Sequence, residues 1–486
     1  MDQDTHDART GQTPATRRMT ADVCIIGAGS GGLSVAAGAA QMGAKTVLIE
    51  GHLMGGDCLN YGCVPSKALL SAAKHAHAMT TGRGQGVAPV APDVDYAAAK
   101  DHVRRVIDTI APVDSQERFE GLGVHVIRDW ARFISETEVQ AGDTVIRARR
   151  FVIATGSSPF VPPIEGIGDV DYLTNETVFD LRDRPEHLLI IGGGPIGMEM
   201  AQAHIRLGCR VTVIEGQKAM GKDDPEAAAL VLSRLQAEGV EIVEGAQADR
   251  IRKVGDGIAV ETGQGTWTGS HLLVAVGRKV NLDRLDLDRA GVQHDRAVIV
   301  GDDLRSVSNR RVYAVGDAAG RLQFTHVAGY HAGVVIRSIL FGLPSKAKTA
   351  HIPWVTYTDP ELAQVGLTEA EARKTHGDRL SVARFDYDEN DRAIAEGRTD
   401  GFCKVMVVGG KPVGATIVGH AAGELIGVWA LAIANGLKLQ AVTNMVAPYP
   451  TYGEISKRAA GAYFSPKLFD NPWVKRVVGA VQRLLP

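Results

Sequence analysis

Two segments of this chain repeat one pattern of strand, glycine turn, helix and strand at a single fixed offset. In the first, Ala21-Asp-Val-Cys-Ile-Ile26 runs into Gly27-Ala-Gly29-Ser-Gly-Gly32, a small-residue helix from Leu33 to Met42, and a strand from Thr46 to Glu50. In the second, His187-Leu-Leu-Ile-Ile191 runs into Gly192-Gly-Gly194-Pro-Ile-Gly197, a helix to Leu207, and a strand from Arg210 to Glu215. Gly27 and Gly192 stand 165 positions apart, and so do Glu50 and Glu215. A single GxGxxG can be no more than a glycine-rich turn, but two copies with matching strands and matching acidic ends are not chance turns. In such a unit the first glycine makes the tight turn, the second admits a pyrophosphate, and the third lets the helix pack on the strand. The helix N-terminus then faces the phosphates, and the acidic residue accepts hydrogen bonds from ribose hydroxyls. The sequence therefore predicts an α/β chain with two Rossmann-like dinucleotide-binding folds.

With 486 residues there is room for more than these two domains. Arg149-Arg-Phe-Val-Ile-Ala-Thr-Gly156 and Val312-Tyr-Ala-Val-Gly316-Asp317 each read as a strand ending in a glycine turn. From about His351 the pattern changes to shorter alternating strands, Ala383–Tyr387 and Phe402–Val408, and then an apolar helix from Gly423 to Ala434. The expected division is a polar, disordered tail over 1–18, a first nucleotide domain over 19–160 and 283–350, and a second over 161–282. A C-terminal α+β domain over 351–470 and a terminal helix over 471–486 follow. The 56 glycines, about 11 per cent of the chain, suit backbone that must approach a ligand closely. A formal net charge of −3 gives no footprint for a phosphate backbone, so nucleic acid is not an expected partner. Val23 to Ala44 is uncharged over 22 residues, yet it holds six glycines and belongs to the first fingerprint, so no transmembrane segment is expected.

Five cysteines, an odd number in so long a chain, do not make a secreted disulfide framework, which points to a cytoplasmic protein. Cys24, Cys209 and Cys403 lie singly in apolar strand patterns and read as core residues. Cys58 and Cys63 differ. They stand in Gly55-Gly-Asp-Cys58-Leu-Asn-Tyr-Gly-Cys63-Val-Pro-Ser-Lys67, at the start of a helical pattern running to Ala76. A distorted first turn, which Gly62 and Pro65 favour, brings two such cysteines within disulfide range, and a helix N-terminus stabilises a thiolate. Two buried structural thiols, or half of a zinc site, are the other readings of the same pair. Zinc wants two further ligands, and the chain has no second cysteine pair.

From about Thr20 to about Phe464 these ordered motifs resemble the flavoprotein pyridine nucleotide-disulfide oxidoreductases, the family of dihydrolipoamide dehydrogenase, glutathione reductase and mercuric reductase. The resemblance implies that Gly27, Gly29, Gly32, Glu50, Gly56, Thr155, Gly156, Gly316 and Asp317 hold FAD, Asp317 on the ribityl chain. It implies that Gly192, Gly194, Gly197, Glu215 and Gly277 hold NADH or NADPH. Glu215 favours NADH, because a carboxylate there repels a 2′-phosphate, while Lys218 nearby leaves NADPH as an alternative. Electrons would pass from NAD(P)H through FAD to a Cys58–Cys63 disulfide, with Cys63 flavin-proximal and Cys58 attacking the acceptor. Lys67 and Glu199 match a buried ion pair beside the flavin, a pairing expected because a buried charge needs a partner. His326 is a candidate for the flavin pyrimidine or for a surface or capping position. The resemblance also implies a homodimer, in which Tyr449 and Glu454 complete the partner's site.

The chain departs from the family's His-Pro-Thr-x-x-Glu motif, reading Tyr449-Pro450-Thr451-Tyr452-Gly453-Glu454, and no histidine follows His420. Tyrosine donates a hydrogen bond at neutral pH but is a poor general base. Tyrosine at this place is similar to mercuric reductases, whose substrate is a soft metal ion held between thiolates. Those enzymes carry a C-terminal vicinal cysteine pair, and nothing after Cys403 is a cysteine here. The acceptor is thus a disulfide or a soft metal ion, with no resident metal expected; an electron-delivering subunit held to a partner is a further reading. Residues 471–486 place Trp473, Val474, Val477, Val478, Val481, Leu484 and Leu485 at helical spacing, with Lys475, Arg476 and Arg483 between them. Such a helix either lies on a membrane surface or docks on its own body, docking being the commoner outcome.

Overall fold

The structure, a computed structural model, describes residues 17–485. They divide into two compact units, and the expected tail lies outside the described residues except for Arg17 and Arg18.

The first unit comprises 17–58, 110–158 and 279–347. Its sheet has seven strands, in the order His125–Ile127, Thr46–Ile49, Arg17–Ile26, Thr144–Ile153, Glu138–Ala141 and Ala131–Ser135, with Val312–Ala314 also paired to Thr144–Ile153. Arg17–Ile26 runs parallel to both neighbours, Cys24 standing opposite Val47 on one side and Phe151 on the other. This strand begins two residues before the domain boundary expected from sequence: Arg17 donates to the carbonyl of Asp143 at 2.9 Å and pairs with Thr144, so polar Arg17 and Arg18 are strand rather than tail. Central strands covered on both faces need continuous apolar runs, and Cys24, Ile25, Leu48, Phe151 and Val152 are fully buried. The helix Ser30–Gln41 packs on Thr325–Phe341, where a Cβ on Gly31 would stand 3.3 Å from Ala328 Cβ and one on Gly38 would strike Ile336. The uncharged glycine-rich stretch is a buried β–α unit, as the fingerprint requires.

The second unit comprises 59–109, 159–278 and 348–485. It holds a four-stranded parallel sheet in the order Glu241–Glu244, Arg210–Glu215, His187–Ile191 and His271–Val274, beside a three-stranded antiparallel sheet over Ala248–Gly269. A separate five-stranded antiparallel sheet runs Pro353–Thr356, Glu361–Gly366, Lys411–Gly419, Phe402–Val408 and Leu380–Asp386. Its core is built on Trp429, Tyr387, Cys403 and Ile417. The apolar helix expected over Gly423–Ala434 is two helices, Ala422–Leu425 and Gly427–Ala434, broken where glycine, a weak helix former, enters the run. The terminal helix forms at Pro472–Leu484, capped by Asn471, whose side chain accepts from Trp473 N–H at 3.0 Å. Its residues Trp473, Val477, Val478, Val481 and Leu484 are exposed. No helix among the described residues is long and apolar enough to cross a membrane.

Candidate nucleotide and dithiol sites

The two fingerprints fold alike to the level of single contacts. Gly27 has φ +106° and Gly192 has φ +113°, and a Cβ on either would lie 2.4 or 2.5 Å from the carbonyl oxygen of Ala154 or Ala275. A Cβ on Gly32 or Gly197 would lie 1.9 or 2.0 Å from the carbonyl oxygen of Gly27 or Gly192. These are the tight turn and the close helix–strand contact that the motif demands. Gly29 and Gly194 are the N-caps of the helices Ser30–Gln41 and Pro195–Arg206, with nearly identical dihedrals and no side-chain cap. The first-turn N–H groups are thereby left for an anionic ligand.

The acidic strand ends are held in the same way. Glu50 Oε2 accepts from Ala28 N–H at 2.6 Å and Oε1 from His52 N–H at 2.7 Å. Glu215 Oε2 accepts from Gly193 N–H at 2.7 Å and Oε1 from Gln217 N–H at 2.8 Å. Each oxygen has a second lone pair for a ribose hydroxyl, so the backbone orients the carboxylate without exhausting it. Near the first fingerprint, Thr155 Oγ1 is buried with no hydrogen bond among the described residues, an orphaned polar atom that a bound group would satisfy. Gly56 lies against Gly29, with a hypothetical Cβ only 2.7 Å from Gly29 Cα. The bare backbone, the fixed carboxylate and the unsatisfied hydroxyl together fit FAD in the first fold.

Asp317 Oδ2 accepts from Ser157 Oγ at 2.5 Å, joining the two glycine turns read separately from sequence. Gly316 N–H donates to His331 Nδ1 at 3.2 Å. His331 is wholly buried, and burial, with Arg321 adding to it, pushes its imidazole down to about 4. Above pH 6.5 neither folded nor unfolded chain carries this proton. Between pH 6.5 and about 4 the unfolded chain takes it first, so folding stability falls as pH drops through that window. His331→Gln is expected to flatten the stability profile there by about 2 kcal/mol, read from urea unfolding at pH 7 and 4.5. An unchanged slope would mean that His331 titrates normally. His326 is exposed and stacks on Phe324 at 5.4 Å between ring centroids.

In the second unit the helix Cys63–Met79 begins at Cys63, which is exposed, behind Gly62 with φ −119° and ψ −111°. Cys58, the last residue of the 17–58 stretch of the first unit, lies in the short helix Gly56–Asn60 and is half-buried. One turn after Cys63, Lys67 Nζ donates to Glu199 Oε2 at 2.9 Å. Glu199 Oε1 accepts from Tyr357 N–H at 2.9 Å, and Lys67 Nζ stands 4.3 Å from the Tyr357 ring centroid. The buried carboxylate thus has a cation and a backbone donor, the conditions under which a buried charge is tolerated. Tyr357, whose hydroxyl is pushed above its usual range by burial and then by Glu199, was not singled out from sequence. It follows a strand of the C-terminal domain and carries no motif.

Cys24, Cys209 and Cys403 are buried, and burial raises their thiols to about 12, 11 and 12, which leaves them inert at neutral pH. Tyr449 is 67% exposed, and its hydroxyl donates to Asp391 Oδ2 at 2.8 Å. That bond holds the phenol above its ordinary value, so it keeps its proton at neutral pH. Glu454 lies 3.7 Å from Arg458 one turn along its helix. Tyr452 donates to Glu396 at 2.9 Å.

Two nucleotide cradles, a dithiol segment and an antiparallel C-terminal domain define a redox enzyme that works with two dinucleotides. Residues 21–332 match the family Pyridine nucleotide-disulphide oxidoreductase, and residues 352–460 match the dimerisation domain of that family. The chain belongs to the pyridine nucleotide-disulphide oxidoreductases; it is an FAD-dependent enzyme with NAD(P)H as electron donor. It is 34% identical over 447 residues to a mercuric reductase of Lysinibacillus sphaericus, covering 90% of this chain and 82% of that one. A dihydrolipoyl dehydrogenase of Chlamydia muridarum is 32% identical over 452 residues, covering 90% of this chain and 96% of that one. Among solved structures, the Cu(II) complex of the HOCl-induced flavoprotein disulfide reductase RclA from Escherichia coli is 25% identical, with a TM-score of 0.81, covering 91% of this chain and 99% of that one. The dimerisation domain supports a homodimer.

Proposed function

We propose that this flavoprotein disulfide oxidoreductase uses the thiols of Cys58 and Cys63 as its acceptor-reducing centre, and that its acceptor is a soft metal ion held directly by those thiols. The observation that carries this reading is Tyr449, bound to Asp391 where the family's disulfide reductases carry a proton-shuttling histidine. A disulfide acceptor releases thiolates that must be protonated, and a phenol fixed as a donor cannot cycle a proton at neutral pH. A soft ion needs no such step: Cys58 and Cys63 bind it as thiolates, releasing two protons as they do so. Two electrons from NAD(P)H then reduce one divalent ion to the metal or two divalent ions to the monovalent state. Bound FAD supplies the two-electron relay between the nicotinamide and the sulfur centre. Relatives named mercuric reductases and a Cu(II) complex of a related reductase support this choice.

The first fold takes FAD through Gly27, Gly29, Gly32, Glu50, Gly56, Thr155, Gly156, Gly316 and Asp317. The second takes NADH through Gly192, Gly194, Gly197, Glu215 and Gly277. Lys67 and Glu199 keep the helix after Cys63 in place. Tyr449 and Glu454 position the acceptor in the partner subunit. The division into a first nucleotide domain over 19–160 and 283–350, a second over 161–282 and a dimer domain over 351–470 belongs to the same reading, as does a reducing cytoplasmic setting.

Anaerobic NADH oxidation, measured with Hg(II), Cu(II), oxidised lipoamide and oxidised glutathione, tests it. The metal-dependent rates are expected to exceed either disulfide rate at least tenfold, and NADH to exceed NADPH by a similar factor. Tyr449→Phe should leave the shape of the pH profile with metal unchanged between pH 6 and 9. A disulfide turned over faster than either metal would overturn the acceptor, and a new limb in the Tyr449→Phe profile would overturn the role of the tyrosine.

A further inference from the structure

None of the nucleotide or thiol residues named above lies in the helix Pro472–Leu484. At about 100° per residue, Trp473, Val477, Val478, Val481 and Leu484 fall on one arc of about 140°. Each is exposed, Trp473 at 71% and Leu484 at 82%. Lys475, Arg476, Gln482 and Arg483 occupy the opposite arc, and no acidic residue lies between 472 and 485. A single exposed apolar side chain means little, but a continuous apolar face backed by one whose charges are all basic is a built surface. Phe469 and Leu468, exposed just before the helix, extend the apolar material, and Lys467 adds a further positive charge.

We infer that this helix is an in-plane anchor that binds the enzyme to an anionic lipid surface. Charge selects the occupant. Lys475, Arg476 and Arg483, with no anion between 472 and 485, are complementary to an anionic surface, and a bilayer of anionic lipid joins that charge to an apolar interior that takes the opposite face of the helix. Thirteen residues extend about 20 Å, short of the roughly 20 residues that a transmembrane helix needs. A helix lying in the interface buries its apolar face between acyl chains, puts Trp473 at the headgroup level where indoles settle, and leaves the basic arc on the phosphates. The surface would hold the reductase beside a membrane while its nucleotide folds stay in water.

Co-sedimentation of the full FAD-loaded chain with phosphatidylglycerol vesicles and with phosphatidylcholine vesicles decides the matter. Each Lys or Arg near an anionic surface contributes about 1 kcal/mol, so partitioning onto phosphatidylglycerol is expected to exceed that onto phosphatidylcholine by roughly a hundredfold at low salt. Most of it should be lost at 0.5 M salt. The double variant Val477→Glu/Val481→Glu is expected to abolish partitioning while leaving NADH turnover and dimer mass unchanged. Equal partitioning onto the two lipids, or none, would overturn the inference. So would a variant that loses dimer mass or thermal stability, since the face would then be covered by the body or by a second copy.

Discussion

Gly32→Ala is expected to purify without flavin and to unfold about 10 °C below the wild type or fail to fold, because its Cβ would sit 1.9 Å from the Gly27 carbonyl oxygen. Backbone cannot step aside as a flexible side chain can. The helix Ser30–Gln41 would have to lift from the sheet, at a cost of about 3 kcal/mol or more. Gly29→Ala separates this structural demand from ligand binding. A Cβ at Gly29 meets nothing nearer than Gly56 Cα at 3.9 Å, and its φ of −82° suits any residue. The apoprotein should fold within about 2 °C of the wild type, yet lose FAD affinity roughly a hundredfold, because the methyl occupies the place where the pyrophosphate must approach. Flavin content from the 450 nm absorbance and thermal unfolding of apo and reconstituted protein give both readings. Full flavin retention in Gly29→Ala would remove that glycine from the site. In the second fold a Cβ on Gly194 meets nothing within 4 Å, so Gly194→Ala should weaken NADH binding and leave FAD in place.

The fingerprints could be read from sequence because every part of them is local. Apolar strand runs, glycine spacing and the acidic end lie within about 30 consecutive residues, and the acidic residues meet their partners inside the same unit: Glu50 holds Ala28, and Glu215 holds Gly193. Tyr357 could not be read. It reaches Glu199 from 158 positions away and follows a strand whose pattern speaks only of sheet packing. Ser157 and Asp317 are 160 positions apart, and their glycine turns were legible singly but not as one contact. The same holds for Tyr449 and Asp391, where the motif flags the tyrosine but nothing flags the carboxylate that keeps its proton in place. The terminal helix was legible as an amphipathic pattern, but whether its apolar face finds a partner depends on three-dimensional placement. Propensity misled only at edges. Arg17 and Arg18 looked like tail because they are charged, and pairing with Thr144 and Val145 overrides that.

Cys58→Ser and Cys63→Ser are each expected to lower acceptor reduction by NADH at least a thousandfold, while ferricyanide, a one-electron oxidant that needs no thiol, still turns over within about threefold of wild type. The size follows from the chemistry. A lone thiolate cannot supply two electrons and close a disulfide, and it gives a soft ion one ligand where a dithiol gives two. Counting thiols tests the pairing without relying on turnover. The chain has five cysteines, three of them buried as single thiols in the two units. Alkylation under denaturing conditions and intact mass should therefore find three modified sites in the oxidised enzyme and five after anaerobic NADH. In Cys63→Ser all four remaining cysteines should be modified both before and after, because the partner of Cys58 is gone. Five modified sites in the oxidised wild type would mean that Cys58 and Cys63 do not cycle as a disulfide and act only as ligands. Ferricyanide turnover falling in parallel with acceptor reduction would instead trace the loss to the nucleotide folds, and the glycine variants, with their intact thiols, provide the reference for that outcome.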